Sequence, residues 1–589
     1  MSRSLLCALS LYLLGAASAS AALPESYYSP HSRLATGRWM KVETDTAGVY
    51  QITPEQISAW GLGKAADVCV YGMSAVDAST NCFGVFPDDL VRVPSVVTAD
   101  GRVLFFGEGA VRGTVLSGES AEFRRNYYDN KSVYFITSGA GGSSVATLPF
   151  SASDKVCDYH YSLDLIEREV QNPGMGGVVY HGPELKNGDK ENFTFNLGGI
   201  DKSRRVFLHY DGAVNSARAV RFVTTFSDNV RVQRLNPISS TANTLATRLY
   251  TDVGGNAFLL LEGEGSQMSV DIAPPVNFDG AYAAVDRVYV IYSRSNRLDA
   301  SGELILNFPD ADFQKANFRI SGSDGDVMAW DVTDPLNIRN MELNGADSYF
   351  EGTPASKNSR IVVFAPDAVH RSVLAAEEVR NTDLHALAVP DMLVVTTASL
   401  MDAAEEFADI HRTVQGLDVA VVCQDDIFNE YSSGVRTPAA VRRFIKMLYD
   451  KAPSKLRFLT LYGASTYDNR FLVTPWRDAL ICYECEAPEQ ARDNSTNYVS
   501  DQYFGILSDD FTDAAISSAP MNITVGRIPA QDAGLAREAN EKSRRWLLHT
   551  PSAAAYLRAL KFSDDGDYRL HFDHTEEFVS CMLKKILKV

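Results

Sequence analysis

The stretch DMLVVTTASLMDAAEEFADIHRTVQGLDVAVVC, residues 391–423, decides how the second half of this chain folds. It contains an apolar run, DMLVVTT, then an amphipathic segment, MDAAEEFADIHRTVQ, and then a second apolar run, VAVVC. Short apolar runs that alternate with helical segments are typical of parallel strands connected by helices. The stretch therefore predicts a strand, a helix and a second strand of a sheet whose faces are covered by helices.

The same alternation continues towards the end of the chain. Thr437 and Pro438 suit the N-cap and the first position of a helix, and the segment that follows them has a helical pattern. One further helix is predicted by LAREANEKSRRWLL, and further strands are predicted by RFLTLYG, ITVGRIP and LRALKFS. We therefore predict an α/β domain with a parallel sheet over residues 385–589.

The first half of the chain has a different pattern, with short runs of β-branched and aromatic residues separated by glycine, asparagine, aspartate and serine. The runs are RVLFF, VYFIT, RVFLHY, VRFVTTF, AFLLLEG, RVYVIYS and IVVFA. Because no long helical period interrupts them, we predict an all-β N-terminal half. We divide it into two β-rich domains, residues 31–150 and 151–384, after the glycine- and serine-rich residues 138–144.

The first 21 residues have the order of a secretory signal peptide. Arg3 precedes the apolar residues 5–14, and small residues follow at Ala17, Ala19 and Ala21. This order predicts export and cleavage after Ala19 or Ala21, and a buried N-terminal helix is the alternative. The net charge of −19 at pH 7 argues against a nucleic-acid partner, because phosphate binding needs a basic surface.

The cysteines leave several interpretations open. Eight are present, and removal of Cys7 with the signal peptide leaves an odd number, so at least one thiol is unpaired or bonded to another chain. Cys482 and Cys485 lack the second ligand pair that a zinc site needs, so they form a disulfide or are two unrelated cysteines. Cys69 and Cys82 have a spacing that would close a surface loop.

The C-terminal segment KFSDDGDYRLHFDHTEEFVSCMLKKILKV brings histidines and a cysteine close together in sequence. From Leu570 onwards its apolar spacing predicts a helix, on which His574 and Cys581 are about 10 Å apart along the axis. His571 is farther from Cys581 still. A cysteine nucleophile needs its base within about 3 Å. We therefore predict a buried helix with a core cysteine and a half-buried histidine, and not a catalytic pair.

Three polar loops follow predicted strands, at the sheet edge where α/β proteins bind their ligands. The loops are QDDIFNEYSSG after Cys423, ASTYDNR after Gly463 and SDDGDYRLH after Phe562. Ordinary solvated loops are the alternative. The segments SDDFTD and SDDGD carry carboxylates that suit a structural calcium ion, but neither has the EF-hand spacing, and polar turns are the favoured interpretation. No cofactor is otherwise predicted.

Residues 425–449, DDIFNEYSSGVRTPAAVRRFIKMLY, resemble a segment of gingipain-type cysteine peptidases, and more narrowly of the sortase and signal peptidase of the type IX secretion system of Bacteroidetes (PorU-type proteins). Residues 37–53 and 328–335 of the β half resemble the same family. Further resemblances follow in family order: LTLYGASTYDNR, NYVSDQYFGIL, ITVGRIPA and LKFSDDGDYRLH. The resemblance extends from Ser32 to Lys585.

This resemblance implies a gingipain- or caspase-like peptidase domain and a cysteine endopeptidase at the outer membrane or cell surface. Such proteins remove C-terminal sorting domains from exported proteins and join the new carboxyl end to anionic lipopolysaccharide. The implied partners are these exported proteins, outer-membrane secretion components and anionic lipopolysaccharide. An extracellular β-rich binding protein or adhesin is the alternative.

The chain also departs from the family pattern. Ala464 and Gln502 replace aspartates of two family motifs. The family's catalytic histidine, in a G-H-G-type turn, and its cysteine both follow the D-D-G-D segment, whereas no such turn follows Asp567. We therefore expect the catalytic pair to lie beyond Val589, the α/β domain to be incomplete, and this polypeptide alone to be an inactive fragment. The predicted residues at the edge of the site are Asp468, Asn469, Asp501 and Asp565.

Overall fold

The structure is a computed structural model of the chain. It describes residues 23–80, 83–84, 87–139, 146–215, 220–226, 229–235, 250–262, 265–274, 282–308, 316–323, 325–346, 349–354, 359–485, 497–508, 516, 519–549 and 569–587. The predicted signal peptide, Asp565 and both acidic segments considered for calcium lie wholly or mostly outside these residues.

The strands are, in chain order, β1 (Trp39–Thr44), β2 (Gly48–Ile52), β3 (Val68–Met73), β4 (Arg92–Val93), β5 (Ser95–Val97), β6 (Val103–Gly107), β7 (Val111–Ser117), β8 (Ser120–Arg125), β9 (Ser132–Ser138), β10 (Thr147–Leu148), β11 (Lys155–Cys157), β12 (Tyr159–Glu167), β13 (Glu191–Asn196), β14 (Val206–Asn215), β15 (Val220–Phe226), β16 (Asn229–Leu235), β17 (Thr251–Leu259), β18 (Gln267–Ala273), β19 (Tyr282–Ser295), β20 (Glu303–Phe308), β21 (Ala316–Ser321), β22 (Met328–Asp331), β23 (Arg339–Met341), β24 (Asn344–Ala346), β25 (Tyr349–Gly352), β26 (Ser359–Phe364), β27 (Ala376–Val379), β28 (Met392–Thr396), β29 (Val419–Cys423), β30 (Phe458–Tyr462), β31 (Tyr483–Glu484), β32 (Val499–Ser500) and β33 (Thr524–Ile528).

The helices are α1 (Pro54–Ala59), α2 (Ala75–Ala78), α3 (Met401–Gln415), α4 (Gln424–Tyr431), α5 (Pro438–Lys451), α6 (Ala533–Leu548) and α7 (Leu570–Leu587). Short 3-10 turns occupy Glu25–Tyr27, Arg33–Ala35, Ala65–Asp67, Pro366–Ala368, Ala398–Leu400 and Gln502–Gly505.

The first half is β-rich, as the sequence predicts, with only the short helices α1 and α2 among its described residues. A five-stranded sheet has the order β27–β1–β9–β3–β4, and a nine-stranded sheet has the order β10–β23–β22–β26–β20–β12–β19–β14–β17. Strand β27 lies late in the chain, yet it pairs antiparallel with β1, with Val379 opposite Trp39. The chain therefore returns to its first sheet immediately before the α/β part begins.

The α/β part is built on a four-stranded sheet of order β29–β28–β30–β33. All three of its strand pairings are parallel, and Met392, for example, lies beside Val419 on one side and Phe458 on the other. The predicted strands at these positions are confirmed, and so are helices α3, α5 and α6. The additional strand predicted at LRALKFS lies outside the described residues.

Residues of β28 alternate between two apolar cores, as the two-residue period of a strand requires. Leu393 and Val395 join the core made with α4 and α5. Met392 and Val394 join the core made with α3 and α6. Helices thus cover both faces of the sheet, which explains why β28 reads as a continuous apolar run.

Two predictions from the sequence are wrong. The segment after Cys423, which was expected to be a polar loop, forms helix α4, because Ile427, Phe428 and Tyr431 lie in the core. The C-terminal helix α7 does form, but His574 is exposed and Phe578 is 63% exposed, so the expected burial of this histidine is not observed. Described neighbours do not cover this side of α7. Of the described helices, none has both the length and the apolar character that a membrane span requires.

Candidate functional site

The loop after β30 leaves the carboxyl edge of the parallel sheet beside the end of β33. The Gly463 N–H donates to the Ile528 carbonyl oxygen at 2.9 Å, and the Ala464 N–H donates to the Ala530 carbonyl oxygen at 2.8 Å. These bonds hold the beginning of the loop against the neighbouring strand. Ala464 is buried, so the family aspartate that it replaces would stand in an enclosed position here.

Asp468 organises the rest of this loop from a fully buried position. Its carboxylate accepts the backbone N–H groups of Leu472, Val473 and Thr474 at 2.8, 2.7 and 2.6 Å. It also accepts the Tyr180 hydroxyl at 3.1 Å. Within this loop Phe471 has a φ of 57°, a conformation that costs a non-glycine residue energy. The carboxylate therefore supports a tight and strained turn.

Asn469 connects this loop to the segment that carries Cys482 and Glu484. Its amide donates to Glu484 Oε1 at 2.5 Å and to Cys482 Sγ at 3.5 Å. The Cys482 thiol in turn donates to the Thr466 carbonyl oxygen at 3.3 Å. Burial, reinforced by the charge of Glu484, raises the pKa of Cys482 to about 12. Because the thiolate is the reactive form, Cys482 is an inert structural cysteine.

The remaining cysteine alternatives are settled for the described residues. Cys482 and Cys485 form no disulfide, and both are buried, so they are two separate cysteines. Cys69 is a free thiol, and Cys82 lies outside the description. Cys423, at the end of β29, has a pKa raised to about 11 by burial and by the nearby carboxylate of Asp425. Neither Cys423 nor Cys482 is thus activated as a nucleophile.

Asp501 is held at the same edge by Arg527 of β33. The guanidinium donates to both carboxylate oxygens, at 2.7 and 2.6 Å. The same guanidinium donates to the carbonyl oxygens of Gly463 and Ile481, at 3.0 and 2.9 Å. Arg527 therefore connects three segments: the end of β30, the segment that contains Cys482, and the turn that contains Asp501.

Three of the four predicted site residues thus lie around one network at the carboxyl edge of the sheet. Asp468, Asn469 and Asp501 belong to it, and Asp565 lies outside the described residues. Arg527 and Arg470 are not among the residues predicted from the sequence, although a charged residue inside an apolar strand is a usable signal for Arg527. No local pattern pointed to the residues of the β half that contact this loop, Tyr180 and Glu169.

A metal site is not evident in the part of the chain that the structure describes, since no group of three histidine, cysteine, aspartate or glutamate side chains is arranged to hold an ion. The carboxylates of the network are instead committed to backbone N–H groups, an amide and a guanidinium. The arrangement is suited to fixing the shape of a loop at the sheet edge.

The α/β part is similar in sequence to a known peptidase family. Residues 385–589 match the sequence model of peptidase family C25. The fold of the chain is similar to that of a solved structure, dimeric latent PorU from Porphyromonas gingivalis, with a TM-score of 0.80 and 20% sequence identity. The similarity covers 93% of this chain and 53% of PorU, so the chain spans about half the length of that relative. The resemblance to gingipain-type peptidases with the PorU fold is confirmed.

Another solved structure that matches is far less similar. The glycosylasparaginase PNGase F from Flavobacterium meningosepticum has a TM-score of 0.16 and 10% identity, over 46% of this chain and 88% of its own. A TM-score of this size describes no common overall fold. No curated protein matches the sequence.

Proposed function

We propose that this chain is part of a cysteine endopeptidase of the type IX secretion system, which acts at the cell surface and removes C-terminal sorting domains from exported proteins. The match of residues 385–589 to peptidase family C25 carries this proposal. The fold similarity to PorU, which extends through the β half, supports it further. We also propose the domain division 31–150, 151–384 and 385–589.

In the proposed reaction, a thiolate attacks the carbonyl carbon of the scissile peptide bond and an imidazole transfers the proton to the leaving amine. The acyl-enzyme is then resolved by water, or by an amine of anionic lipopolysaccharide when the cargo is transferred. The partners are cargo with sorting domains and components of the outer-membrane secretion machinery.

The proposal assigns no catalytic nucleophile or base to the described residues. The raised pKa values of Cys423 and Cys482 support this assignment, because both thiols stay protonated at neutral pH. Asp468, Asn469 and Asp501 then have a supporting role, since they fix the loop at the edge of the site. A non-catalytic binding protein is the second candidate.

Deletion of the gene in the source bacterium tests the proposal. We expect exported cargo to retain its sorting domain in the deletion strain, as measured by intact-protein mass spectrometry. A gene that encodes residues 1–589 alone should not restore cleavage, whereas re-introduction of the deleted gene should. Normal cargo processing in the deletion strain would reject the proposed function. Restoration by residues 1–589 would reject the expectation that this polypeptide alone is inactive.

A further inference from the structure

The N-terminal segment, residues 23–33, is held in place by aspartate carboxylates. Four of its backbone N–H groups each donate to an aspartate, at distances of 2.8 to 3.1 Å. The pairs are Leu23 with Asp450, Ser29 with Asp88, Ser32 with Asp383, and Arg33 with Asp89. The Leu23 pair comes first along the chain, and only Ala22 separates it from the predicted cleavage position after Ala21.

Asp450, which the beginning of this segment contacts, is a buried carboxylate in the last turn of α5. Its side chain is only 4% exposed, and its Oδ1 accepts the Lys446 ammonium at 2.8 Å. Its Oδ2 faces the N-terminal segment, where it accepts the Tyr28 hydroxyl at 2.6 Å and the Leu23 N–H at 3.1 Å. The C-terminal end of a helix also attracts positive charge. This position therefore favours a cation.

A cavity of about 640 Å³ opens beside the contact between Leu23 and Asp450. Both residues line it, and the other charged or titratable side chains of its lining belong to Glu25, His385 and Lys451. None of the candidate-site residues lines it, so this cavity is separate from the network described above. There is thus open space next to the carboxylate at the beginning of the described chain.

The free amino group of a chain that begins at Ala22 lies close to Asp450 in every backbone conformation. Consecutive backbone nitrogens are at most about 3.7 Å apart, because three covalent bonds join them. Since the Leu23 nitrogen is 3.1 Å from Asp450 Oδ2, the α-ammonium is within about 7 Å of this oxygen. A chain that begins at Ser20 has two more residues before Ala22, and its ammonium has no such restraint.

We propose that export leaves Ala22 as the first residue of the protein, and that Asp450 binds the α-ammonium group which removal of the signal peptide creates. A signal peptidase adds water across the peptide bond between Ala21 and Ala22. The signal peptide keeps the new carboxylate, and the new amine takes a proton from solvent. The precursor has a neutral amide at this position, so it lacks the ion pair that the processed chain forms.

The proposal goes beyond the proposed function, because it concerns the processing of this chain itself. It holds whether or not the protein cleaves cargo. Removal of the signal peptide then completes the attachment of the N-terminal segment to α5. N-terminal sequencing of the protein exported by the source bacterium is the first test. We expect Ala22 as the first residue, and any other first residue would overturn the proposal.

The second test measures how readily the α-amine reacts with cyanate, which modifies only the unprotonated amine. The processed protein is compared with a peptide of residues 22–28, and mass spectrometry follows the modified N-terminus. At pH 7 we expect the amine of the protein to react about tenfold more slowly, because Asp450 favours its protonated form. The two rates should converge at pH 10. Equal rates at pH 7, or protection that is unchanged at pH 10, would overturn the proposal.

Two variants should change this reaction in opposite directions. Asp450→Asn should bring the rate at pH 7 to within about twofold of the peptide. Lys446→Met should slow the reaction about threefold further, because Asp450 then no longer shares its charge with Lys446. The matched control is Asp418→Asn, since Asp418 also pairs with a lysine but is 58% exposed and outside the cavity.

The control variant should react as slowly as the unaltered protein. Asp450→Asn leaves the buried Lys446 ammonium without its counter-ion and is therefore the variant most at risk of unfolding. The unaltered protein and Lys446→Met decide the question without it. Faster modification of folded Lys446→Met than of the unaltered protein would overturn the proposal.

Discussion

Arg470 and Glu169 form a two-point ion pair between the α/β part and the β half of the chain. Nη1 of Arg470 donates to Oε2 of Glu169 at 2.5 Å, and Nη2 donates to Oε1 at 2.6 Å. The same carboxylate accepts both Nη atoms of Arg125, at 2.7 and 2.8 Å. Burial acts to raise the pKa of Glu169, but the two guanidinium groups outweigh it and lower this pKa. The β half thus anchors the loop that contains Asp468 and Asn469.

Substitution of Glu169 by glutamine tests this anchoring. The Arg470 side chain is fully buried, and removal of the Glu169 charge would leave its guanidinium without the carboxylate that pairs with it, with the charge of Glu167 remaining nearby. We expect Glu169→Gln to lower the free energy of unfolding by about 3 kcal/mol, as measured by urea denaturation.

Asp409→Asn provides the comparison, because it also breaks an ion pair with arginine, but Asp409 is 69% exposed. Its effect should stay below about 0.5 kcal/mol. Equal losses of unfolding free energy in both variants would show that burial of the Glu169 ion pair does not increase its contribution to stability.

We predict that lysine cannot replace Arg527 without a loss of stability. Its planar guanidinium serves the Asp501 carboxylate and two carbonyl oxygens in three directions, which a lysine ammonium cannot reproduce. We expect Arg527→Lys to destabilise the fold by about 2 kcal/mol. Arg544→Lys on the outer face of α6 is the control, and no change is expected there. A fully stable Arg527→Lys protein would mean that charge alone holds Asp501.

The strands of the parallel sheet could be predicted because each is a short apolar run, and its period is a local property of the sequence. Helix α4 could not, because Asp425, Asp426, Asn429 and Glu430 give it a polar composition, and only tertiary packing of its few apolar residues decides its structure. The candidate site could be predicted only in part, because only some of its residues have a local sequence signal. Polar residues directly after a predicted strand indicate the carboxyl edge of the sheet, as for Asp468 and Asn469. Partners that are distant in sequence, such as Tyr180 and Glu169, leave no local pattern.

The thiols of Cys423 and Cys482 should resist alkylation in the folded protein. Their pKa values are raised to about 11 and about 12, mainly by burial, so little thiolate forms near pH 8. We expect peptide mapping by mass spectrometry to find both cysteines unmodified after treatment with iodoacetamide. The same treatment in urea should modify both. Rapid modification of either cysteine in the native protein would contradict the structural role assigned to it.

His385 lies between two carboxylates, 3.2 Å from Asp88 Oδ2 and 2.8 Å from Glu430 Oε2, and its side chain is fully buried. Burial lowers the pKa of the imidazole, but the hydrogen bonds and charges of Asp88 and Glu430 more than compensate and raise it to about 10, from a usual value of 6.5. The folded state therefore binds this proton more tightly than the unfolded state does.

The stabilisation by this proton is complete below pH 6.5 and is lost as the pH rises towards 10. We expect His385→Gln to lower the free energy of unfolding by on the order of 3 kcal/mol at pH 7. The difference from the unaltered protein should then shrink steadily between pH 7 and pH 10 in urea titrations. The exposed His549 offers the control, since His549→Gln should change stability by less than about 0.5 kcal/mol at every pH. A His385→Gln difference that stays constant over this range would mean that the imidazole is uncharged between its two carboxylates.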